Sequence, residues 1–224
     1  MAVYTEVSDA ALTEFLSAYE IGGLLSYKGI AEGVENTNFF LHTTGGSYIL
    51  TLYEKRVRAG DLPFFLDLME HLAARGLACP QPVRNRGGTA LGRLCDRPAA
   101  IVSFLEGVSV KAPNAHHCAE LGRALAALHA AGRDFGMTRD NSLSVASWRP
   151  LFDQAEQQAD AVSPGLARRT RDDLALLEAG WPAGLPGGVI HADLFTDNVF
   201  FIGDHLSGLI DFYFACTDAF AYDL

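Results

Sequence analysis

The chain is short of positive charge: 17 Lys and Arg stand against 27 Asp and Glu, a net charge of −10 over 224 residues. Such a surface is unsuited to holding nucleic acid or an anionic membrane through its overall field, while one local anion pocket is still allowed. Paired cysteines are also lacking. Cys79, Cys95, Cys118 and Cys216 stand singly, none at C-x-x-C spacing, which argues against a zinc or redox motif and for reduced, partly buried thiols. The acidic segment from Met1 to Glu20 has no basic stretch leading into an apolar run, so it does not read as a signal peptide. The longest purely apolar runs, such as Ala99–Val102, are far too short to cross a bilayer. The expected compartment is the cytoplasm.

What is present is the composition of a globular protein, 49% hydrophobic and 20% charged, long enough for one domain or two small lobes. Ser8 or Asp9 can cap a first helix whose stripe is Leu12, Phe15, Leu16 and Tyr19, with Gly22-Gly23 as its stop. Segments 25–30, 38–42 and 47–53 are rich in Tyr, Phe, Ile, Thr and Leu and read as three antiparallel strands joined by tight turns. A helix follows, capped by Asp61, with Pro63 in its first turn, Phe65, Leu68, Met69 and Leu72 on its buried face, and Gly76 past its end. Segments 89–94 and 99–104 complete a five-stranded sheet. Beyond Gly107 the pattern turns helical: Asn114 can cap a helix carrying Cys118, Leu121, Leu125 and Leu128, and 147–161 and 166–179 are further helices. From Gly188 a strand, a loop and a hairpin follow in quick succession. The expected fold class is α+β and bilobal: residues 1–105 as a five-stranded antiparallel lobe with one helix, residues 106–224 as a mainly helical lobe.

The segment richest in chemistry is His191-Ala192-Asp193-Leu194-Phe195-Thr196-Asp197-Asn198, followed by Leu209-Ile210-Asp211-Phe212. Phosphoryl transfer asks for a base or orienter for the attacking hydroxyl and for oxygen ligands that hold Mg²⁺ on the phosphates. A D-x-x-x-x-N spacing presents the Asp193 carboxylate and the Asn198 amide oxygen on one side of a short loop. The hairpin that follows can return Asp211 beside Asn198.

This is the catalytic-loop and D-F-x pattern of protein-kinase-like enzymes, and its His-x-Asp form resembles the aminoglycoside-phosphotransferase branch. The resemblance implies that Asp193 is the catalytic base, that Asn198 and Asp211 are Mg²⁺ ligands, and that His191 props the loop. It implies a phosphate cover at the first turn, with Gly33, Asn36 and Thr37, and an adenine-holding hinge at Phe104, Leu105 and Glu106. The runs Gly33–Phe40, Phe212-Tyr213-Phe214-Ala215 and Tyr222-Asp223-Leu224 are similar to those of homoserine kinases. An ATP- and Mg²⁺-dependent phosphorylation of L-homoserine, giving O-phospho-L-homoserine for threonine biosynthesis, is the expectation that follows. Other acceptors in the superfamily are choline, ethanolamine, aminoglycosides and methylthioribose, and a nucleotide-binding pseudokinase is the rival from another class.

The pattern departs from the family in one place. Thr51 stands where a third-strand Lys or Arg would hold the phosphates; Lys28 and Lys55 are the nearby cations, and Asp67 and Glu70 the candidate helix partners. The six other histidines show no ligand spacing, and His129 reads as a packed or hydrogen-bonded core residue. Residues 219–224 read as the start of a helix. Since the C-lobe of the resembling family continues with helices that wall the acceptor pocket, the chain is expected to be a shortened form.

Overall fold

The computed structural model describes residues 4–31, 36–54 and 58–224. Ser8 caps α1 (Asp9–Leu16), its hydroxyl accepting from the Ala11 amide at 3.3 Å. The apolar stripe buries Leu12 and Leu16, and Tyr19, just beyond the helix, is buried with them. The sheet follows as β1 (Leu24–Gly29), β2 (Thr37–Thr43), β3 (Gly46–Leu52), β4 (Leu91–Leu94) and β5 (Arg97–Ser103), in spatial order β1-β2-β3-β5-β4. All neighbouring strands are antiparallel. The register places Asn38 of β2 directly opposite Thr51 of β3.

Strand β5 shows how the sheet divides the core. Its residues alternate between faces, as a pleated strand must. Ala99 and Ile101 pack with Leu12, Leu16, Phe39, Leu41 and Leu50 on the α1 side, whereas Ala100 and Val102 pack on the other. That second face is covered by α2 (Leu62–Ala74), which buries Phe65, Leu68, Met69 and Leu72 as its periodicity requires. Asp61 precedes α2 but makes no capping bond; its carboxylate instead accepts from Arg139 Nε at 2.9 Å. The larger core continues without a break from Tyr53 and α2 to Leu128, Val189, Val199, Leu209 and Phe212.

Between β5 and the rest of the chain, Gly107 has φ +141°, and a Cβ there would lie 2.3 Å from Ser207 Oγ. Only glycine lets the connection pass so close. Next comes β6 (Val108–Ser109), a strand too short for the sequence pattern to reveal. Asn114 then starts α3 (Ala115–Ala131) with a reciprocal cap: its side chain accepts from the His116 and His117 amides, and His117 Nδ1 accepts from the Asn114 amide at 3.2 Å. Helices α4 (Val145–Val162) and α5 (Leu166–Gly180) pack on each other and are tied by Arg149 and Glu178 at 2.7 Å. The chain closes with β7 (Gly187–Ile190), the hairpin β8 (Val199–Ile202) and β9 (His205–Leu209), and β10 (Cys216–Ala219). Strand β6 pairs with β8, and β10 with β7.

The expected helix at 219–224 is not formed. Ala219 ends β10 opposite Gly187, and Phe220–Asp223 is a short 3₁₀ turn. The physical reason lies in the hydrogen bonds. The Phe220 amide is taken by the Pro186 carbonyl at 3.0 Å, and the Asp223 side chain is drawn to backbone amides 31 and 32 residues away. The four cysteines are free thiols, and burial pushes Cys79 and Cys216 up to about 12, which makes them poor nucleophiles. Among the described residues, no helix is long and apolar enough to cross a membrane.

Candidate active site

The loop that leaves β7 carries His191 to Asn198. Its second residue, Ala192, has φ +63°, a left-handed conformation that costs a residue with a Cβ about 1–2 kcal/mol. The Asp223 carboxylate holds it there. Oδ2 accepts from the His191 amide at 3.0 Å and Oδ1 from the Ala192 amide at 2.7 Å. The Asp223 side chain is 1% exposed, and its Oδ2 also meets His129 Nε2 at 2.8 Å. The His129 ring stacks on Phe220 with centroids 4.4 Å apart. Two consecutive amides are thereby fixed immediately before Asp193.

His191 is fully buried and its Nε2 lies 3.0 Å from the Ile210 carbonyl oxygen. Burial pushes its imidazole down to about 4, against the opposing pull of the Asp223 carboxylate. The ring is therefore neutral near pH 7, with Nε2–H donating to Ile210. It also packs on Phe212, centroids 4.6 Å apart. His191 thus braces the two residues on either side of Asp211, which itself has φ +63°. Asn198 completes the arrangement. Its Nδ2 donates to the Asp193 carbonyl at 2.8 Å and to Asp193 Oδ2 at 2.9 Å, and its own carbonyl accepts from the Ile210 amide at 3.0 Å. With the amide nitrogen turned to Asp193, the Asn198 side-chain oxygen points away from it. Asp193, Asn198, His191 and the Asp211 turn are therefore joined in one hydrogen-bonded unit, as the hairpin spacing suggests.

On the sheet side the residues are differently placed. Gly33 and Lys55 lie outside the described residues. Thr37 is fully buried; its hydroxyl donates to Glu54 Oε1 at 2.9 Å and accepts from the amides of Tyr4 and Thr5. Asn36 is buried too, and its Oδ1 accepts from the Glu54 amide at 3.3 Å. Glu54, also paired with Arg97 at 3.1 Å, is the group that secures the end of the first turn. Phe104 is exposed and meets Phe40 edge-on at 5.2 Å; Leu105 is half-buried and Glu106 exposed. Thr51 is buried and donates to Asn38 Oδ1 at 2.8 Å. Asp67 and Glu70 both face Arg84, with Arg84 Nε 3.0 Å from Glu70 Oε1, so their partner is on the surface of the sheet lobe.

No three His, Cys, Asp or Glu side chains gather to hold a metal among the described residues. The candidate donors are oxygens from two residues, Asn198 and Asp211. That set suits Mg²⁺, which keeps several waters and takes one or two carboxylates together with substrate phosphates. Asp223 and His129 were not legible as parts of this site. The one signal in the sequence was that residues 222–224 lie in a run similar to homoserine kinases, which carries no role by itself.

Three comparisons bear on the arrangement. Residues 26–224 match the model of the phosphotransferase enzyme family. The chain is 83% identical over all its 224 residues to a homoserine kinase of Methylobacterium radiotolerans and 66% identical to one of Parvibaculum lavamentivorans; it spans 70% of the length of each. Among solved structures, it resembles an amicoumacin kinase in complex with AMP-PNP and Ca²⁺, at TM-score 0.73 and 16% identity, covering 96% of this chain and 67% of that one. A spectinomycin phosphotransferase in complex with ADP is similar at TM-score 0.68 and 14% identity, covering 98% and 73%. At those identities the solved structures speak for the kinase-like fold alone.

Proposed function

The chain belongs to the phosphotransferase enzyme family, and we propose that it transfers the γ-phosphoryl group of ATP to the hydroxyl of L-homoserine. The observation that carries this reading is the 83% identity, over every residue of the chain, to a homoserine kinase. The hydrogen-bonded unit of His191, Asp193, Asn198 and the Asp211 turn supplies the chemistry such a transfer needs.

Residues 1–105 bind the nucleotide. The hinge backbone from Phe104 to Glu106 holds adenine, and the turn with Gly33, Asn36 and Thr37 covers the phosphates through backbone amides. Residues 106–224 carry the reaction. Asp193 orients the acceptor hydroxyl and takes its proton as the oxygen attacks. The bond from Asn198 Nδ2 fixes the plane of the Asp193 carboxylate, and Asp223 fixes the backbone that precedes it. Asn198 and Asp211 would hold Mg²⁺, which when bound offsets the charge of the phosphate oxygens. His191, neutral and buried, keeps the Asp211 turn at its distance from the loop.

The test is ADP formation by this chain with L-homoserine, choline, ethanolamine, a kanamycin-type aminoglycoside and methylthioribose side by side. L-Homoserine is expected to give the highest kcat/KM. A higher value with any other acceptor overturns the substrate assignment.

A further inference from the structure

Arg139, in the stretch between α3 and α4, holds α2, the turn after Asp211 and β10 together. Its Nε donates to Asp61 Oδ2 at 2.9 Å, immediately before α2. Its Nη1 donates to the Ala215 carbonyl at 3.1 Å and lies 3.5 Å from the Phe214 carbonyl oxygen. Its guanidinium carbon stands 5.0 Å from the centre of the Phe65 ring of α2, within the range of a cation–π contact. The backbone that carries this side chain is fixed as well. The Arg139 amide donates to Thr217 Oγ1 at 3.2 Å, and its carbonyl accepts from the Thr217 amide at 2.7 Å. Asp140 then runs parallel to β10 beside Thr217, and Asn141 Nδ2 donates to Asp218 Oδ2 at 2.7 Å.

The carbonyls that Arg139 takes up close the turn that begins at Asp211. Phe214 ends the 3₁₀ turn Phe212–Phe214, which starts directly after Asp211, and carbonyls at the end of a helical turn have no partner inside it. Asp211 itself is in the left-handed region, a conformation that persists only where its surroundings enforce it. His191 holds Ile210 and Phe212 on one side, and Arg139 holds Phe214 and Ala215 on the other. Tyr213, between them, meets Phe65 of α2 edge-on at 5.7 Å, and its hydroxyl lies 3.0 Å from that of Tyr53, just past the end of β3. Asp61 bears on the same connection. Aspartate is among the preferred capping residues, yet Asp61 stands at the start of α2 without a capping bond, and its carboxylate goes to Arg139 instead.

We propose that Arg139 is a positioning residue for phosphoryl transfer: through Asp61 and the Phe214 and Ala215 carbonyls it ties α2 to the turn after Asp211, and so sets where the Asp211 carboxylate stands relative to nucleotide phosphates held by the sheet. The proposal rests on the reading of Asp211 as a metal ligand. Arginine suits the task better than lysine, because its planar guanidinium offers separate nitrogens to the carboxylate and to the carbonyls, whereas lysine presents a single nitrogen and gives up one side.

The experiment compares Arg139→Lys, Asp61→Asn, the double variant and Asp211→Asn with the unaltered chain. Nucleotide affinity is measured by fluorescence titration with EDTA and then across a Mg²⁺ series, well below the melting temperature of each variant, and folding by thermal melts. Arg139→Lys and Asp61→Asn are each expected to leave EDTA affinity within about twofold and to raise the Mg²⁺ concentration for half-maximal binding about 2- to 10-fold, the equivalent of one hydrogen bond. The double variant shifts by less than the product of the two singles, because both changes act on one contact. A residue that only stabilises the fold would lower the melting temperature and leave the Mg²⁺ series unchanged. Unchanged Mg²⁺ dependence in Arg139→Lys, with a shift in Asp211→Asn, overturns the tie and leaves the metal reading standing. A shift in Arg139→Lys with none in Asp61→Asn overturns the link to α2 and the proposal with it, as do equal losses with and without metal. Unchanged dependence in Asp211→Asn removes both the metal reading and the proposal. Should Arg139→Lys fail to fold, Asp61→Asn decides by the same criteria.

Discussion

Replacing Asp223 by Asn is the sharpest test of how the Asp193 loop is held. The two side chains have the same shape, so packing is preserved. What changes is the donor and acceptor count. The carboxylate accepts from two consecutive amides at 3.0 and 2.7 Å and from His129 at 2.8 Å. An asparagine can accept through one atom only, and its amide group then faces a backbone N–H, donor against donor. One charge-assisted hydrogen bond is lost, worth about 1.5–3 kcal/mol, and a buried donor is left unsatisfied at about 1–3 kcal/mol more. A loss of roughly 3 kcal/mol in a chain of this size lowers Tm by about 10 °C. Activity should fall further than stability. Ala192, released at φ +63°, relaxes toward ordinary backbone angles and carries Asp193 with it, and a displacement of about 1 Å at a reacting group costs on the order of 100-fold. The assay is kcat and ATP affinity at a temperature well below the melt, with Tm from circular dichroism. The expected result is a loss of about 100-fold in kcat with ATP affinity within threefold. A variant whose kcat and Tm both match the parent would refute the reasoning.

Three further outcomes are expected. Asp193→Asn should bind ATP normally and lose about 10²–10⁴-fold in kcat, the range of general-base catalysis; turnover within threefold in single-turnover conditions removes Asp193 from that role. Thr51→Lys should lower both stability and ATP affinity, because the side chain is buried and its hydroxyl is used within the sheet; tighter ATP binding in this variant would show that the position faces the phosphates. The third concerns acid. The His191 imidazole sits at about 4 in the fold against an ordinary 6.5, so the unfolded chain takes up the proton first. Its contribution is fully present above pH 6.5 and is lost as pH falls toward 4, amounting to about 2–3 kcal/mol between pH 7.5 and 4.5. Urea melts at those two pH values should show a drop that is smaller by that amount in His191→Gln, and parallel curves would discard it.

What the sequence reveals is what recurs at short range. Leu12 and Leu16, the stripe of Phe65, Leu68, Met69 and Leu72 on α2 and the alternation in β5 each repeat at the period of their element, and all are buried as that period demands. The unit of Asp193, Asn198 and Asp211 was legible for a related reason. It lies on one loop and one hairpin, and the connections are too short to lead anywhere else. Strand β6 has two residues, below the length at which a period can be recognised, and both it and β10 exist because distant strands offer them partners.

Asp223, His129, Tyr53 and Tyr213 share a different trait. Each binds a partner far along the chain, at separations of 31, 94 and 160 residues, and these partners are side chains or amides with no repeating pattern. Asp223, backed by His129, holds the left-handed backbone at Ala192. A search of sequence for reactive groups passes over them, since a residue that positions chemistry need not resemble one that performs it. Thr37 shows the converse. A loop hydroxyl beside a glycine turn looks available to a phosphate, yet it serves Glu54 and the segment at Tyr4 and Thr5. Burial separates the two cases. A carboxylate that is 1% exposed and accepts three hydrogen bonds is stable only if the groups it binds are worth more than the water it gave up. At Asp223 those groups are the two amides that decide where Asp193 stands.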